Sequence, residues 1–254
     1  MYLQLNKDQK YAFHEIINSV LYNKPNLFFM SGHGGTGKTF LWNAIVSYLR
    51  AQHKIVLTVA SSGVASLLLP NGRTAHSRFK IPIDIDELSL CDIKRGSKLA
   101  ELLLQTNLII WDEAIMTNRQ CFEALDRSLK DIVSEIDNEA CEKPFGGKVV
   151  LGGDPKQILP VIENASKTQI INASIFRSYL WDDVKKLKLH ENMCLQRIES
   201  SNSEYEELES FSNWILQIGY GCTKNSNTEN ENIDDDTSIV EIPTIYYCTQ
   251  QKIK

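Results

Sequence analysis

The chain of 254 residues is 43% hydrophobic and 23% charged, ordinary values for a globular fold that exclude a collagen, a coiled coil and a wholly disordered chain. No run of eighteen apolar residues occurs, and Met1 to Asp8 has neither the apolar stretch of a signal peptide nor the Arg and Ser richness of a transit peptide, so an intracellular protein without a membrane span is expected. Residues 198–254 hold three Lys against eleven Asp and Glu, which leaves 24 of the 27 basic and 21 of the 32 acidic residues for residues 1–197; this mildly basic body permits contact with nucleic acid.

Residues 6–23 read as a helix, with Asn6 as N-cap and Ala12, Phe13, Ile16, Ile17 and Val20 on one face. Four short apolar runs follow, at 27–30, 55–59, 108–111 and 149–151, none with polar alternation. Runs of this kind suit strands buried on both faces. Helix-length segments at 37–50, 61–69, 98–105 and 118–134 separate them, and the alternation predicts an α/β fold, a parallel sheet with helices on both faces. Lys185 to Lys188 has a strand-like texture and is too short for a targeting signal. From Thr223 to Asp236 almost nothing is apolar, which predicts a solvated loop, and a short strand over Ser238 to Ile242 follows. The six cysteines at 91, 121, 141, 194, 222 and 248 form no CxxC pair, so reduced thiols are expected rather than a zinc site or a disulfide scaffold.

The chemistry concentrates where apolar strands end. Gly32-His33-Gly34-Gly35-Thr36-Gly37-Lys38-Thr39 is a complete G-x-x-x-x-G-K-[ST] loop between a strand and a helix. Its glycines let backbone N–H groups curl around phosphates, Lys38 supplies a point charge, and Thr39 offers a hydroxyl to Mg²⁺. The run Leu108 to Trp111 ends in Asp112 and Glu113. Asp112 is expected to hold the metal and Glu113 to orient or deprotonate the attacking water. Gly153-Asp154-Pro155-Lys156-Gln157 follows the fourth strand, and the Gln157 amide is suited to contacting a γ-phosphate and signalling its presence.

Taken in order, Gln9, Gly32 to Thr39, Thr58 to Ala65, Gly72-Arg73-Thr74-Ala75-His76-Ser77-Arg78-Phe79, Asp112-Glu113-Ala114 and Gly153 to Pro160 resemble the motif series of the PIF-one-like (petite integration frequency) ATP-dependent DNA helicases of superfamily one, B polarity. The plant-type and Helitron-transposon branch is the most similar. The resemblance covers nearly the whole chain and implies a RecA-like P-loop NTPase over residues 1–197, then an acidic helix, a flexible loop and the start of a truncated second region over 198–254. It implies ATP and Mg²⁺ as cofactors and single-stranded DNA or DNA junctions as partner. A monomer is expected, with 5′ to 3′ movement, roles in repair, recombination and telomere maintenance, and a nuclear location. By the same resemblance Gln9 reads the adenine edge, a task for an amide that donates and accepts at once. Ser61, Ser62 and Gly63 meet DNA phosphates through hydroxyls and backbone N–H groups, and His76 and Phe79 are stacking candidates, although a structural histidine and a core phenylalanine fit those positions equally.

Two departures from the family pattern stand out. Where the family reads Asn-Met-Arg, with the arginine approaching the γ-phosphate, this chain reads Asn192-Met193-Cys194, and Arg197 is the nearest replacement for that charge. The second RecA-like domain that completes the family's motor, with a further arginine finger, is not in the sequence. A catalytically weak fragment that binds nucleotide and DNA is therefore the alternative to an active helicase. A GTPase is a poor rival, because Asn6-Lys7-Asp8-Gln9 resembles a guanine-reading Asn-Lys-x-Asp only at the wrong spacing and before the phosphate loop, and a nucleoside kinase would need an arginine-rich lid that no segment here resembles.

Overall fold

The computed structural model describes residues 1–24, 26–152, 158–193, 195 and 203–219. It divides into two compact units, Met1–Met193 and Cys194–Lys254, a boundary four residues earlier than the composition suggests.

The first unit is a six-stranded sheet in the order β3-β2-β4-β5-β1-β6, with every pair parallel. The strands are β1 (Leu27–Ser31), β2 (Ile55–Ala60), β3 (Arg73–Thr74), β4 (Thr106–Asp112), β5 (Val149–Leu151) and β6 (Val184–Lys188). The helices in this unit are α1 (Lys7–Leu21), α2 (Lys38–Ala51), α3 (Gly63–Leu67), α4 (Ala75–Phe79), α5 (Lys98–Gln105), α6 (Arg119–Val133) and α7 (Lys167–Ala173). Side chains of a strand alternate between faces, and each central strand here is apolar both ways. Phe28 and Met30, with Val56, Leu108 and Ile110, pack with α1 and α2, whereas Leu27, Phe29, Leu57, Ile109 and Trp111 pack with α5 and α6. This two-sided burial explains why these runs lack polar alternation.

α1 starts at a capping box: the Asn6 side chain accepts from the Gln9 backbone N–H and the Gln9 side chain accepts from that of Asn6. α3 is shorter than the helical pattern over 61–69. Proline at position 70 disfavours helical backbone at Leu69, and the Pro70 carbonyl instead accepts the Thr58 hydroxyl at 2.7 Å. Three elements, β3, α4 and α7, have no periodicity strong enough to mark them in the sequence. The outer strand β6 sets Lys185, Lys186 and Lys188 along the sheet edge, a placement that discourages pairing with another chain. Of the second unit, α8 (Ser203–Gly219) is described, while the polar loop from Thr223 and the strand expected over Ser238 to Ile242 lie outside the described residues. Among the described residues no helix is long and apolar enough to cross a membrane.

Candidate nucleotide and nucleic-acid site

In a wound sheet ligands gather at the C-terminal ends of the strands. Here that edge carries the phosphate loop after β1, Asp112 and Glu113 at the end of β4, and Gly152 after β5, the strand between them.

The loop is glycine-dependent for physical reasons. Gly35 and Gly37 have φ of 84° and 77°, the left-handed region that side chains disfavour. A Cβ at Gly37 would stand 2.5 Å from Gln9 Nε2, and one at Gly35 would stand 2.5 Å from Asn192 Oδ1. Gly32 is closed in by the Thr36 hydroxyl, which donates to the His33 carbonyl at 2.9 Å, whereas Gly34 is exposed with open space around it. The Lys38 ammonium folds back over the loop, donating to the carbonyls of Gly32 and, at 3.3 Å, His33. Thr39 is exposed in the first turn of α2.

Two further pieces of chain brace this loop. Gln9 is fully buried; its Nε2 donates to the Thr36 carbonyl at 3.0 Å and its Oε1 accepts from the Asn6 N–H at 3.1 Å. One amide hydrogen and one lone pair remain, enclosed in this arrangement with no exposed face. The segment after β6 closes the other side. Leu189 N donates to the Ser31 carbonyl at 2.7 Å and Met193 N to the Gly35 carbonyl at 2.9 Å, while Met193 Sδ accepts from Asn6 Nδ2 at 3.1 Å. His190 is tied to Asp8 through its ring at 2.9 Å and its backbone N–H at 3.1 Å, and this bonding holds the Asp8 carboxyl below its ordinary range. The main chain is thus fixed to the phosphate loop one residue before position 194. Cys194, Arg197 and Gln157 lie outside the described residues.

At the end of β4 the register pairs Asp112 with Ala60 of β2, so Ser61 and Ser62 meet Glu113. Glu113 has φ 54°, an unusual value for a residue with a Cβ, and Ser61 holds it there. The Ser61 hydroxyl donates to the Glu113 carbonyl at 2.6 Å and accepts from Trp111 Nε1 at 3.2 Å and from the Thr117 hydroxyl at 2.6 Å. The Ser61 N–H donates to the Asp112 carbonyl at 3.2 Å. A hydroxyl has one proton and two lone pairs, all spent inside the protein, which corrects the reading of Ser61 as a donor to DNA. Ser62 is placed differently: its hydroxyl accepts from Ala65 N and donates to Glu113 Oε2 at 3.0 Å. Gly63 beside it is exposed with nothing within 4 Å of its open side.

The stacking pair separates. Phe79 is fully buried against Trp111, with ring centroids 6.0 Å apart, so of the two readings of this position the core one holds, and the ring has no face for a base. His76 is half-buried, its Nε2 lies 3.9 Å from Cys121 Sγ, and burial lowers its pKa. Burial also pushes the thiols of Cys91 and Cys121 up to about 11 and about 12, which leaves them protonated and unreactive at neutral pH. Thr117 and Trp111, which complete the Ser61 clamp, carry no sequence signal because their partner lies fifty or more residues away.

A parallel α/β sheet with a phosphate loop and a strand-end Asp-Glu pair on one edge defines the P-loop NTPase fold of RecA-like architecture. A family model described as PIF1-like helicase matches residues 4–229, and the chain belongs to that family. The ATP-dependent DNA helicase Pif1 of Campylobacter jejuni is 29% identical over 223 residues, covering 84% of this chain and 47% of that protein. The Psychrobacter protein of the same name is 33% identical over 158 residues, covering 61% and 23%. Among solved structures, Pif1 from Bacteroides in complex with ADP-AlF4 superposes with a TM-score of 0.63 at 24% identity, covering 87% of this chain and 47% of that one. A Pif1 structure concerned with unwinding at forked double-stranded DNA gives 0.64 at 23%, covering 87% and 49%. The chain thus spans less than half the length of these relatives.

Proposed function

We propose that this chain is the ATP-binding RecA-like part of a DNA helicase that couples ATP hydrolysis to 5′ to 3′ movement along single-stranded DNA. The observation that carries this is the phosphate loop and the Asp112-Glu113 pair on the same sheet edge, with the Ser62-Gly63 segment beside Glu113. Lys38 and the loop N–H groups hold the β- and γ-phosphates, Gln9 reads the adenine, and Gln157 senses the γ-phosphate. Thr39 and Asp112 offer hydroxyl and carboxylate oxygens, hard donors that suit Mg²⁺. When bound, the cation neutralises charge on the phosphate oxygens. Glu113 orients the attacking water and takes its proton. Ser62, Gly63 and His76 form the DNA-facing group. Membership of the plant-type and Helitron branch, roles in repair, recombination and telomere maintenance, a nuclear location and a monomeric state rest on the resemblance of the motif series.

The test is binding of a fluorescent ATP analogue and of oligothymidylate to residues 1–254. Lys38→Ala abolishes the first; unchanged affinity in that variant removes the nucleotide site. A second reading, a fragment that binds but barely hydrolyses, is favoured by Cys194: Met193 is bonded to the phosphate loop, and a thiol follows where the family places a guanidinium. An arginine finger is worth about 10³ to 10⁵ in rate. Cys194→Arg is expected to raise turnover in part, and a variant no faster than the parent shows that position 194 does not serve the phosphate.

A further inference from the structure

Glu113 is asked to act on a water at the γ-phosphate, yet its carboxylate is held elsewhere. β4 lies between β2 and β5, and the phosphate-loop strand β1 lies beyond β5. Ser62 follows β2, so its bond to Glu113 Oε2 draws the carboxylate to the side of β4 opposite the phosphate loop. The backbone of Glu113 is meanwhile pinned at φ 54° by the Ser61 hydroxyl, which is itself saturated by Trp111 and Thr117. The side chain is therefore a lever on a fixed pivot.

Ser62 has one hydroxyl proton. It cannot donate to the Glu113 carboxylate and to a DNA phosphate at once, and the two anions repel each other if brought to the same hydroxyl. We infer that Ser62 is a positioning residue that latches Glu113 away from the nucleotide until a DNA phosphate takes its proton donor and frees the carboxylate for hydrolysis. This rests on the reading of Ser62 as a DNA contact. In the step that follows, the water oxygen bonds to the γ-phosphorus. The bridging oxygen leaves with the electron pair on ADP, and the water proton passes to Glu113. Coupling between sites is reciprocal, so whatever draws Glu113 toward the nucleotide also frees Ser62 for DNA.

The latch gives a signature that needs no hydrolysis. Oligothymidylate affinity is measured by fluorescence anisotropy on residues 1–254 as the parent, Ser62→Ala, Glu113→Ala, the double variant and Ser62→Thr, without nucleotide. Unlatching is expected to tighten DNA binding by Glu113→Ala about fivefold, the low end of site-to-site coupling, because both groups are only half-buried. In the Ser62→Ala background the same change should alter affinity by less than about twofold, a non-additivity expected only of groups in contact. Ser62→Thr keeps both the cap and the donor and should match the parent. A further readout is the ratio of turnover with DNA to turnover without it, which Ser62→Ala lowers toward one while leaving the KM for ATP unchanged. Equal gains from Glu113→Ala in both backgrounds would mean simple loss of charge and would overturn the latch alone. A parent chain that binds no oligothymidylate would overturn the DNA reading on which the latch stands.

Discussion

Ser61→Ala separates the two roles that position 61 can have. As a DNA contact, Ser61 would be dispensable for folding, and its loss would weaken DNA binding. The structure instead makes its hydroxyl the hub of three internal hydrogen bonds, to the Glu113 carbonyl, Trp111 Nε1 and the Thr117 hydroxyl. Trp111 and Thr117 are buried, so water cannot fully replace the lost partner. Each net hydrogen bond contributes about 1 kcal/mol and each stranded buried group costs about 1–3 kcal/mol. Alanine leaves little room for a substituting water, and a combined cost of about 3 kcal/mol follows. For a unit of this size 1 kcal/mol moves Tm by about 2–4 °C, so a fall of about 6–12 °C is expected in a thermal melt. Releasing the Glu113 backbone from its positive φ should also lower ATP turnover, whereas DNA affinity per folded molecule should stay within about twofold because no DNA-facing group of Ser61 is lost. A melt within about a degree of the parent together with a severalfold loss of DNA affinity would refute the clamp and restore Ser61 to the DNA surface.

Gly37→Ala places a side chain at φ 77°, with its Cβ 2.5 Å from Gln9 Nε2; a left-handed penalty of about 1–2 kcal/mol plus the displaced amide should weaken binding of a fluorescent ATP analogue by about tenfold or more, and full affinity would show that the loop relaxes freely. In a salt titration of oligothymidylate binding, each neutralised phosphate adds about 0.7 to the log–log slope, and a slope near zero would reject a phosphate-tracking surface. The Asp8 carboxyl is lowered in the folded state by His190, so the stability it contributes is present above its ordinary value of about 3.9 and is lost as pH falls through the lower folded value. Asp8→Asn should therefore flatten the dependence of Tm on pH below about 5, and an unchanged acid limb would show that the His190 tie contributes nothing to the fold.

The elements legible in the sequence were those whose own residues determine them. A strand buried on both faces must be apolar at consecutive positions, so β1, β2 and β4 show as uninterrupted runs. The phosphate loop shows because only glycine tolerates the backbone at positions 35 and 37. β3 and α4 are too short to develop a period, and β6, an edge strand with lysines at 185, 186 and 188 around a single deeply buried residue, Leu187, shows only a strand-like texture. The inward placement of Phe79 and Ser61 is hard to read from sequence for one common reason. Each sits inside a motif that resembles a DNA-contacting one, and a motif fixes which residues are neighbours in sequence without fixing which of them faces outward.

Adjacent residues in a turn face different ways, and this is what makes the Ser61-Ser62 pair informative. Ser61 is turned inward, where it fixes the main chain of Glu113; Ser62 is turned so that its hydroxyl reaches the Glu113 carboxylate and stands beside the exposed Gly63. Two hydroxyls one residue apart thus divide the control of Glu113, one setting where its backbone is and the other where its charge is. Such an arrangement requires the β2–β4 register that pairs Ala60 with Asp112, since in a parallel pair a slip of one residue would turn every side chain of β4 to the opposite face of the sheet. The apolar runs of β2 and β4, buried on both faces, cannot by alternation alone exclude that slip. The Ser61 clamp adds what the apolar pattern lacks, because its three bonds tie β2 to β4 and the turn after it in this register, and the placement of the Glu113 carboxylate follows from it.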